Sequence, residues 1–351
     1  MNNDILDNKI LEEVQNGVIP GMTYSVVKDN DIFHGSVGLK QIIPTKENTS
    51  EDTLYDLASL SKVVSTVTIV SKMYAEGKIK LNDKVSAYLE RFKYDDVTIF
   101  DLLTHSSGLP ADLDDLTIVS KEELLNKVYD ASKVYETKTD VIYSDLGYIL
   151  LGELISKVYG KPLDEVAREE VFIPLEMNHT CYNPINKSNC APTEETTSRG
   201  LLQGDVHDEK AFSLGGVAGN AGVFSTNTDL VNFMSMILND GYYNGKEYLP
   251  KQIIDLWFKP LVFEERNNRY RSLCWIVGQN KLVNKNDGNV ISFSVFTGPS
   301  ISIDRDNNLG IALLTNRVHP TRKNNLIATE RSKITESVYE SFGLNQSERL
   351  M

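Results

Sequence analysis

Ser59-Leu60-Ser61-Lys62, within Leu57-Ala58-Ser59-Leu60-Ser61-Lys62-Val63-Val64, sets a hydroxyl and an amine three residues apart. Beyond it Val63, Val64, Val67, Val70 and Met73 recur at helical spacing, which predicts a helix from Ser59 to about Glu76, closed by Gly77. Residues three apart share a helix face, so the Lys62 amine lies one turn above the Ser59 hydroxyl. A nucleophile with a base at that offset is one reading; a capping serine beside a solvated lysine is the other. The rest of the chain has to separate them.

Outward from this stretch the pattern changes twice. Before it, Asp4–Gln15 reads as a short amphipathic helix. Met22–Val27 and Ile32–Val37 read as strands joined by the turn residues Lys28 to Asp31. After it, from Lys78 to about Glu265, helical patterns dominate: Val85–Phe92, Ile99–Leu103, Lys121–Val128, Leu146–Val158, Leu163–Val171, Thr228–Leu238 and Pro250–Phe258. The span 178–222 is irregular and longer than a compact domain usually leaves structureless, as site borders often are. Strand patterns return at Ser272–Val277, Val290–Phe296, Ser300–Asp304 and Gly310–Leu314, and a helix over Ile327–Tyr339 closes the chain.

Strands at both ends with helices between them predict an α+β fold. One antiparallel sheet is built from residues 1–76 and 267–351 and flanked by the terminal helices. A mostly helical domain, 77–266, is inserted, and the cleft between the two parts is the expected site.

The chain has 351 residues, 41% hydrophobic and 24% charged, enough to bury a core without staples. A net charge of −13 repels nucleic acid and anionic membranes. Cys181, Cys190 and Cys274 fit neither a zinc pattern nor a disulfide framework. No apolar leader opens the sequence and no apolar run has membrane-spanning length, so a cytoplasmic protein with no membrane span is expected. Asp112, Asp114 and Asp115 lack a calcium-loop pattern and read as a solvated acidic face. The sequence leaves the oligomeric state open.

Tyr143-Ser144-Asp145 precedes a helical pattern, which places the Tyr143 phenol at a helix start. There it serves either as a general base, its pKa lowered by a nearby lysine, or as a packed core tyrosine with a polar tip. Ser59-x-x-Lys62 followed by Tyr143-Ser144-Asp145 resembles the class C β-lactamase and penicillin-binding-protein-like serine hydrolases, which include esterases, DD-peptidases and D-amino-acid peptidases. Other segments resemble the family in order: Val97–Pro110, Gly204–Asp208, Gly219–Thr226, Phe296–Asp304 and Leu314–Arg317.

The resemblance implies an acyl-enzyme mechanism on a small-molecule or peptide ester or amide. Ser59 is then the nucleophile, and Lys62 and Tyr143 are the general base and acid. The oxyanion is held by the N–H of Ser59 and one on the strand containing Phe293–Phe296, and neither metal nor cofactor takes part.

Two departures stand out. Asp145 replaces the family's asparagine, and either pairs with Lys62 or selects a cationic substrate group. Phe293-Ser294-Val295 stands where the family carries Lys-Thr-Gly or His-x-Gly, so the cation that attracts a substrate carboxylate is missing and the cleft narrows. A neutral or apolar acyl group is therefore expected. A binding or regulatory homologue without turnover remains a second reading. A true β-lactamase or DD-peptidase is a third, and it needs Arg317 or Arg322 to supply the cation. His207 is expected to contact substrate or to order its loop. Phe296, Asn316 and Arg317 are expected at the substrate's edges.

Overall fold

The computed structural model describes residues 3–114, 118–278 and 289–344; Asp115 of the acidic run lies outside them. Nine strands form one antiparallel sheet. They are β1 (Gly21–Lys28), β2 (Asp31–Gln41), β3 (Glu47–Asn48), β4 (Val262–Glu264), β5 (Arg269–Arg271), β6 (Ile276–Val277), β7 (Val290–Ser294), β8 (Ser300–Asp304) and β9 (Leu309–Leu314), in the spatial order β4-β5-β6-β7-β8-β9-β1-β2-β3. The two ends of the chain thus meet in the middle of the sheet, where β1 pairs β9 with Thr23 opposite Leu314. The β1–β2 hairpin closes through Asp29 and Asn30, both at positive φ (52° and 73°), the two-residue turn that matches strand twist.

The alternation of side chains divides the core into two layers. Tyr24, Val26, Leu309, Ile311 and Leu313 face α1 (Asn3–Gln15) and the closing helix Ile327–Ser341, meeting Leu6, Ile10, Ile334 and Val338. Val27, Phe293, Ile301 and Ala312 face the other way, into a larger core with Val63, Val67, Val70 and Trp257. Helices fill that second side: α2 (Thr68–Ala75), α3 (Ile99–Leu103), α4 (Lys121–Asp130), α5 (Asp145–Tyr159), α6 (Leu163–Ala167), α7 (Glu209–Ser213), α8 (Asn227–Leu238) and α9 (Lys251–Phe258); the closing helix is α10. Among the described residues no helix is long and apolar enough to cross a membrane. Cys181, Cys190 and Cys274 are free thiols.

Several expectations need correction. The strand expected over Ser272–Val277 keeps only Ile276–Val277, and Val262–Glu264, within the span expected to be helical, joins the edge of the sheet beside Arg269–Arg271. The helix expected from Ser59 is a 3-10 turn (Ala58–Leu60) followed by a π-helical stretch (Lys62–Val67), and α-helix begins only at Thr68. Thr68 Oγ1 donates to the Val63 carbonyl five residues back (2.8 Å), a side chain inserted into the ladder. Val85–Phe92 makes only one 3-10 turn, Val85–Ala87, because successive turns already bury Val85, Leu89 and Phe92. Leu163–Val171 likewise passes from α6 into a π-helical turn, Arg168–Phe172.

Candidate active site

Ser59 sits on a bend that its neighbours hold under strain. Ala58, directly before it, has φ +44°, a region that costs a residue with a Cβ. Asp56 fixes that conformation: its Oδ1 accepts the Ala58 N–H (2.8 Å) and its Oδ2 the His207 N–H (2.7 Å). The Asp56 carbonyl accepts from Thr297 Oγ1 (3.0 Å), which ties in the hairpin between β7 and β8. Burial pushes the Asp56 carboxyl above its ordinary range, against the pull of those two N–H donors.

Lys62 is fully buried and held by three partners. Nζ donates to Ser59 Oγ (2.9 Å) and to the Asn220 carbonyl (3.0 Å), and pairs with Asp145 Oδ1 (2.7 Å). The 3-10 turn and the π-helical stretch therefore bring the two groups together as the sequence spacing requires, though by a different backbone path. Asn220 reaches Lys62 because Gly219 lies flat on α5: a Cβ at Gly219 would stand 2.0 Å from the Tyr148 carbonyl. Thr66 Oγ1 holds the Gly219 carbonyl (2.7 Å) from the opposite side.

Tyr143 arrives on the turn before α5, whose first N–H groups are capped by Ser144. The Lys62 ammonium lies 4.9 Å from its ring centroid. His105 stacks on the same ring at 4.5 Å, accepts the Ser144 N–H on Nδ1 (3.0 Å), and faces the Cys274 thiol through Nε2 (3.7 Å). Burial, with Arg271 and Lys62 nearby, pushes the His105 imidazole well below its usual range, so it is neutral. The Tyr143 phenol differs from expectation: burial outweighs the opposing pull of Lys62 and pushes it up to about 12. At neutral pH it is a proton donor.

Asp145 is clamped. Its Oδ1 pairs with Lys62 and its Oδ2 with Lys210 (3.3 Å), and Lys210 also holds Asp112 (2.9 Å) and Asp208 (3.2 Å). Asp208 accepts the Asn220 amide (3.1 Å), closing a ring of charge around the back of Lys62. Burial alone would raise the Asp145 carboxyl, but the two ammonium groups hold it below its ordinary range. Burial would likewise lower the Lys62 ammonium, and Asp145 and Tyr143 more than offset it, leaving it above the usual lysine value. Of the two roles open to Asp145, pairing with Lys62 is the one the geometry has. Asp112 is a lysine partner in this ring, where a solvated face was expected.

The Phe293 ring is buried beside Tyr143 (6.2 Å between centroids) and Trp275 (6.4 Å), so an apolar surface fills the place of the expected cation. Val295 is buried at the mouth of the β7–β8 hairpin. Ser294, one residue along the strand, pairs with Ser300 and turns to the opposite face of the sheet. Phe296 is 48% exposed and carries Arg317 at 4.4 Å, Arg322 at 5.8 Å and His207 at 5.5 Å from its ring.

Neither arginine is free to replace a cation beside Ser59. Arg317 donates to the carbonyls of Phe296 (2.6 Å), Arg322 (3.1 Å) and Asn324. Arg322 pairs with Glu194 and with Glu209 (2.7 Å). His207 Nε2 faces Glu194 (3.0 Å), and Asn316 Nδ2 joins the carbonyls of Lys40 (2.7 Å) and Pro192 (2.6 Å); both side chains order loops. A cation does stand near Tyr143: Arg271, 5.4 Å from its ring centroid, neutralised by Glu264 (2.7 Å). Among the described residues no three His, Cys, Asp or Glu side chains group as a metal centre.

Lys210, Asn220, His105 and Asp56 escape a reading by motif. The only signal for Asn220 is its position in a segment that resembles a border of the cleft, and Lys210 lies outside those segments. Asp56 and His105 act through backbone groups, which no residue pattern announces.

The sequence profile described as Beta-lactamase matches residues 6–335. The N-acetylmuramyl-L-alanine amidase of Bacillus subtilis (strain 168) is 33% identical over 365 aligned residues, covering 90% of this chain and 80% of its own. A putative D-alanyl-D-alanine carboxypeptidase of Escherichia coli (strain K12) is 30% identical, covering 90% of this chain and 82% of its own. Among solved structures, a class C beta-lactamase superposes with TM-score 0.78 at 19% identity, over 97% of this chain and 96% of that one. EstCE1, a hydrolase with promiscuous acyltransferase activity, superposes with TM-score 0.79 at 19% identity, over 96% and 98%. Those two structures share the fold.

Proposed function

Because the chain belongs to the beta-lactamase family and is a serine hydrolase, we propose that it cleaves an ester or amide through an acyl-enzyme on Ser59, with Lys62 and Tyr143 carrying the proton. The observation behind this reading is Lys62 Nζ at 2.9 Å from Ser59 Oγ, with Tyr143 stacked on the same ammonium. Ser59 Oγ attacks the carbonyl carbon. Its proton passes through the Lys62–Tyr143 pair to the leaving oxygen or nitrogen, the carbonyl–heteroatom bond breaks, and water then releases the acyl group by the reverse transfers. The N–H of Ser59 and one on the β7–β8 hairpin would hold the oxyanion. No step calls for a metal or cofactor.

The substrate reading follows from what lines the cleft. Phe293 and Val295 favour a neutral or apolar acyl group, because a carboxylate placed there would lose water and gain no cation. The names of the amidase and carboxypeptidase relatives support amides alongside esters. A slow or binding-only homologue is favoured by one observation: with Lys62 held as an ammonium by Asp145 and Tyr143 neutral, the resting site has no free base.

The test uses p-nitrophenyl acetate and a labelled penicillin. Ester turnover that is lost in Ser59→Ala, with no penicillin label, supports the reading. Penicillin acylation at Ser59 overturns the neutral-substrate part. Ester turnover equal in wild type and Ser59→Ala overturns the Ser59 mechanism.

A further inference from the structure

The outer face of the sheet is not uniformly apolar. Where β9 and β1 meet α1 and α10 it carries Leu309, Ile311, Leu313, Tyr24 and Val26. Where β7 and β8 meet α10, it carries a two-by-two block of serines, Ser292 opposite Ser302 and Ser294 opposite Ser300. Sequence alternation produces this: in Ser292-Phe293-Ser294 and Ser300-Ile301-Ser302 the large residues point to the inner core and the hydroxyls outward. Four small side chains cannot fill the space beneath a helix, and a cavity of about 150 Å3 remains. Ser332 and Thr335 of α10 also line it.

Arg331 projects from α10 into the same cavity. Its Nη2 donates to the Gly298 carbonyl (2.9 Å), and its Nε is cut off from solvent with no hydrogen-bond partner. Among the described residues no carboxylate pairs with it. Burial, with Arg317 adding repulsion, pulls its guanidinium down to about 10, so it stays charged at neutral pH. A part-buried cation with one solvent-excluded donor unspent, and no anionic side chain paired with it among the described residues, is a costly arrangement unless something anionic completes it. The second arginine on the wall, Arg269, is already matched by Glu264.

We propose that this cavity binds a small oxyanion, held by the Arg331 guanidinium and the Ser294 and Ser300 hydroxyls of the sheet, while the Ser332 and Thr335 hydroxyls donate to the Thr329 and Arg331 carbonyls of their own helix. The volume suits a phosphate-sized ion or the carboxylate end of a short acid. Arg331 links the cavity to catalysis: the Gly298 carbonyl it grips lies in the β7–β8 hairpin, whose Thr297 hydroxyl is bonded to the Asp56 carbonyl behind Ser59. An anion in the cavity therefore steadies the hairpin that borders the reaction cleft, from the opposite face of the sheet.

The experiment is calorimetric titration of the full chain with inorganic phosphate, and separately with acetate, at constant ionic strength set by chloride. Saturable one-site binding of either anion is expected, and phosphate against acetate decides between an inorganic ion and a carboxylate. Binding should weaken at least tenfold in Arg331→Gln and persist in Ser59→Ala, which separates this site from the reaction cleft. Ser332→Leu, which fills the cavity from the helix side, should also abolish binding and serves if Arg331→Gln does not fold. No saturable binding by either anion overturns the proposal, as does undiminished binding in a folded Arg331→Gln or Ser332→Leu variant, or loss of binding in Ser59→Ala.

Discussion

Lys62 is an ammonium bonded to Ser59 and the Asn220 carbonyl, and its ion pair with Asp145 keeps it so. A base must first lose its proton, so the rate should climb with pH toward the lysine range. Asp145→Asn removes the negative charge that raises the Lys62 pKa, so the rising limb of kcat/KM against pH should move to lower pH. Activity on p-nitrophenyl acetate at pH 7 should increase roughly tenfold or more; a fall in rate with an unmoved limb would show that the carboxylate itself takes part. Phe293 is the second residue-scale determinant. Phe293→His returns a cation-capable ring beside Tyr143, and acylation by a labelled penicillin should rise at least ~10-fold, the scale of one charge-assisted contact at about 1.5–3 kcal/mol. An unchanged penicillin rate would mean that Val295, and not the missing cation, closes the site to it.

At the scale of elements, the site is a junction of short backbone pieces held by long-range contacts. The turn before α5 depends on neutral His105. Its pKa is depressed in the folded state, so the unfolded chain takes up a proton near pH 6.5 that the native protein refuses. Its contribution is present above that pH and is lost as pH falls, at about 1.4 kcal/mol per unit. Urea unfolding of His105→Asn against wild type should show a penalty that is larger at pH 8 than at pH 5; a penalty independent of pH would mean that the ring acts by packing alone. Lys210 joins three carboxylates from α5, α7's N-terminal side and the 108–114 loop. Lys210→Met should cost roughly 2–4 kcal/mol in urea unfolding, below the figure for a fully buried pair because Asp112 is part-exposed. A loss under about 0.5 kcal/mol would show those charges to be solvated.

This is also where legibility in the sequence divides. Ser59, Lys62 and Tyr143 carry signals within a few residues of themselves, and each stands where its spacing implies. Lys210 and Asn220 meet Lys62's neighbourhood only after the chain has travelled some 150 residues, and no local pattern encodes that. The π-helical path through Lys62–Val67 was hidden because apolar spacing looks the same whichever carbonyl an N–H chooses. The Tyr143 phenol lies higher than its neighbouring cation implies, because proximity to a cation can be read from a motif and burial cannot.

For the whole molecule, β1, β2 and β7 to β9 are legible from the pattern alone while the short edge strands β3, β4 and β5 are not, and the β1–β9 pairing joins the two ends of the chain. Leu313 sits at that seam, in the layer under α1 and α10, while Trp257 and Trp275 lie in the inner core. Leu313→Ala should cost about 2–5 kcal/mol. Tryptophan fluorescence and far-UV circular dichroism should lose structure in one coincident urea transition. Two separated transitions would mean that the helical part holds without the seam.

The central claim is that Ser59 is a nucleophile activated by Lys62. Its most direct measurement is intact mass after incubation with a fluorophosphonate, followed by peptide mapping. One adduct per chain on Ser59, absent in Ser59→Ala and slowed in Lys62→Met, is the predicted result; an unmodified chain, or an adduct on another residue that persists in Ser59→Ala, would contradict it.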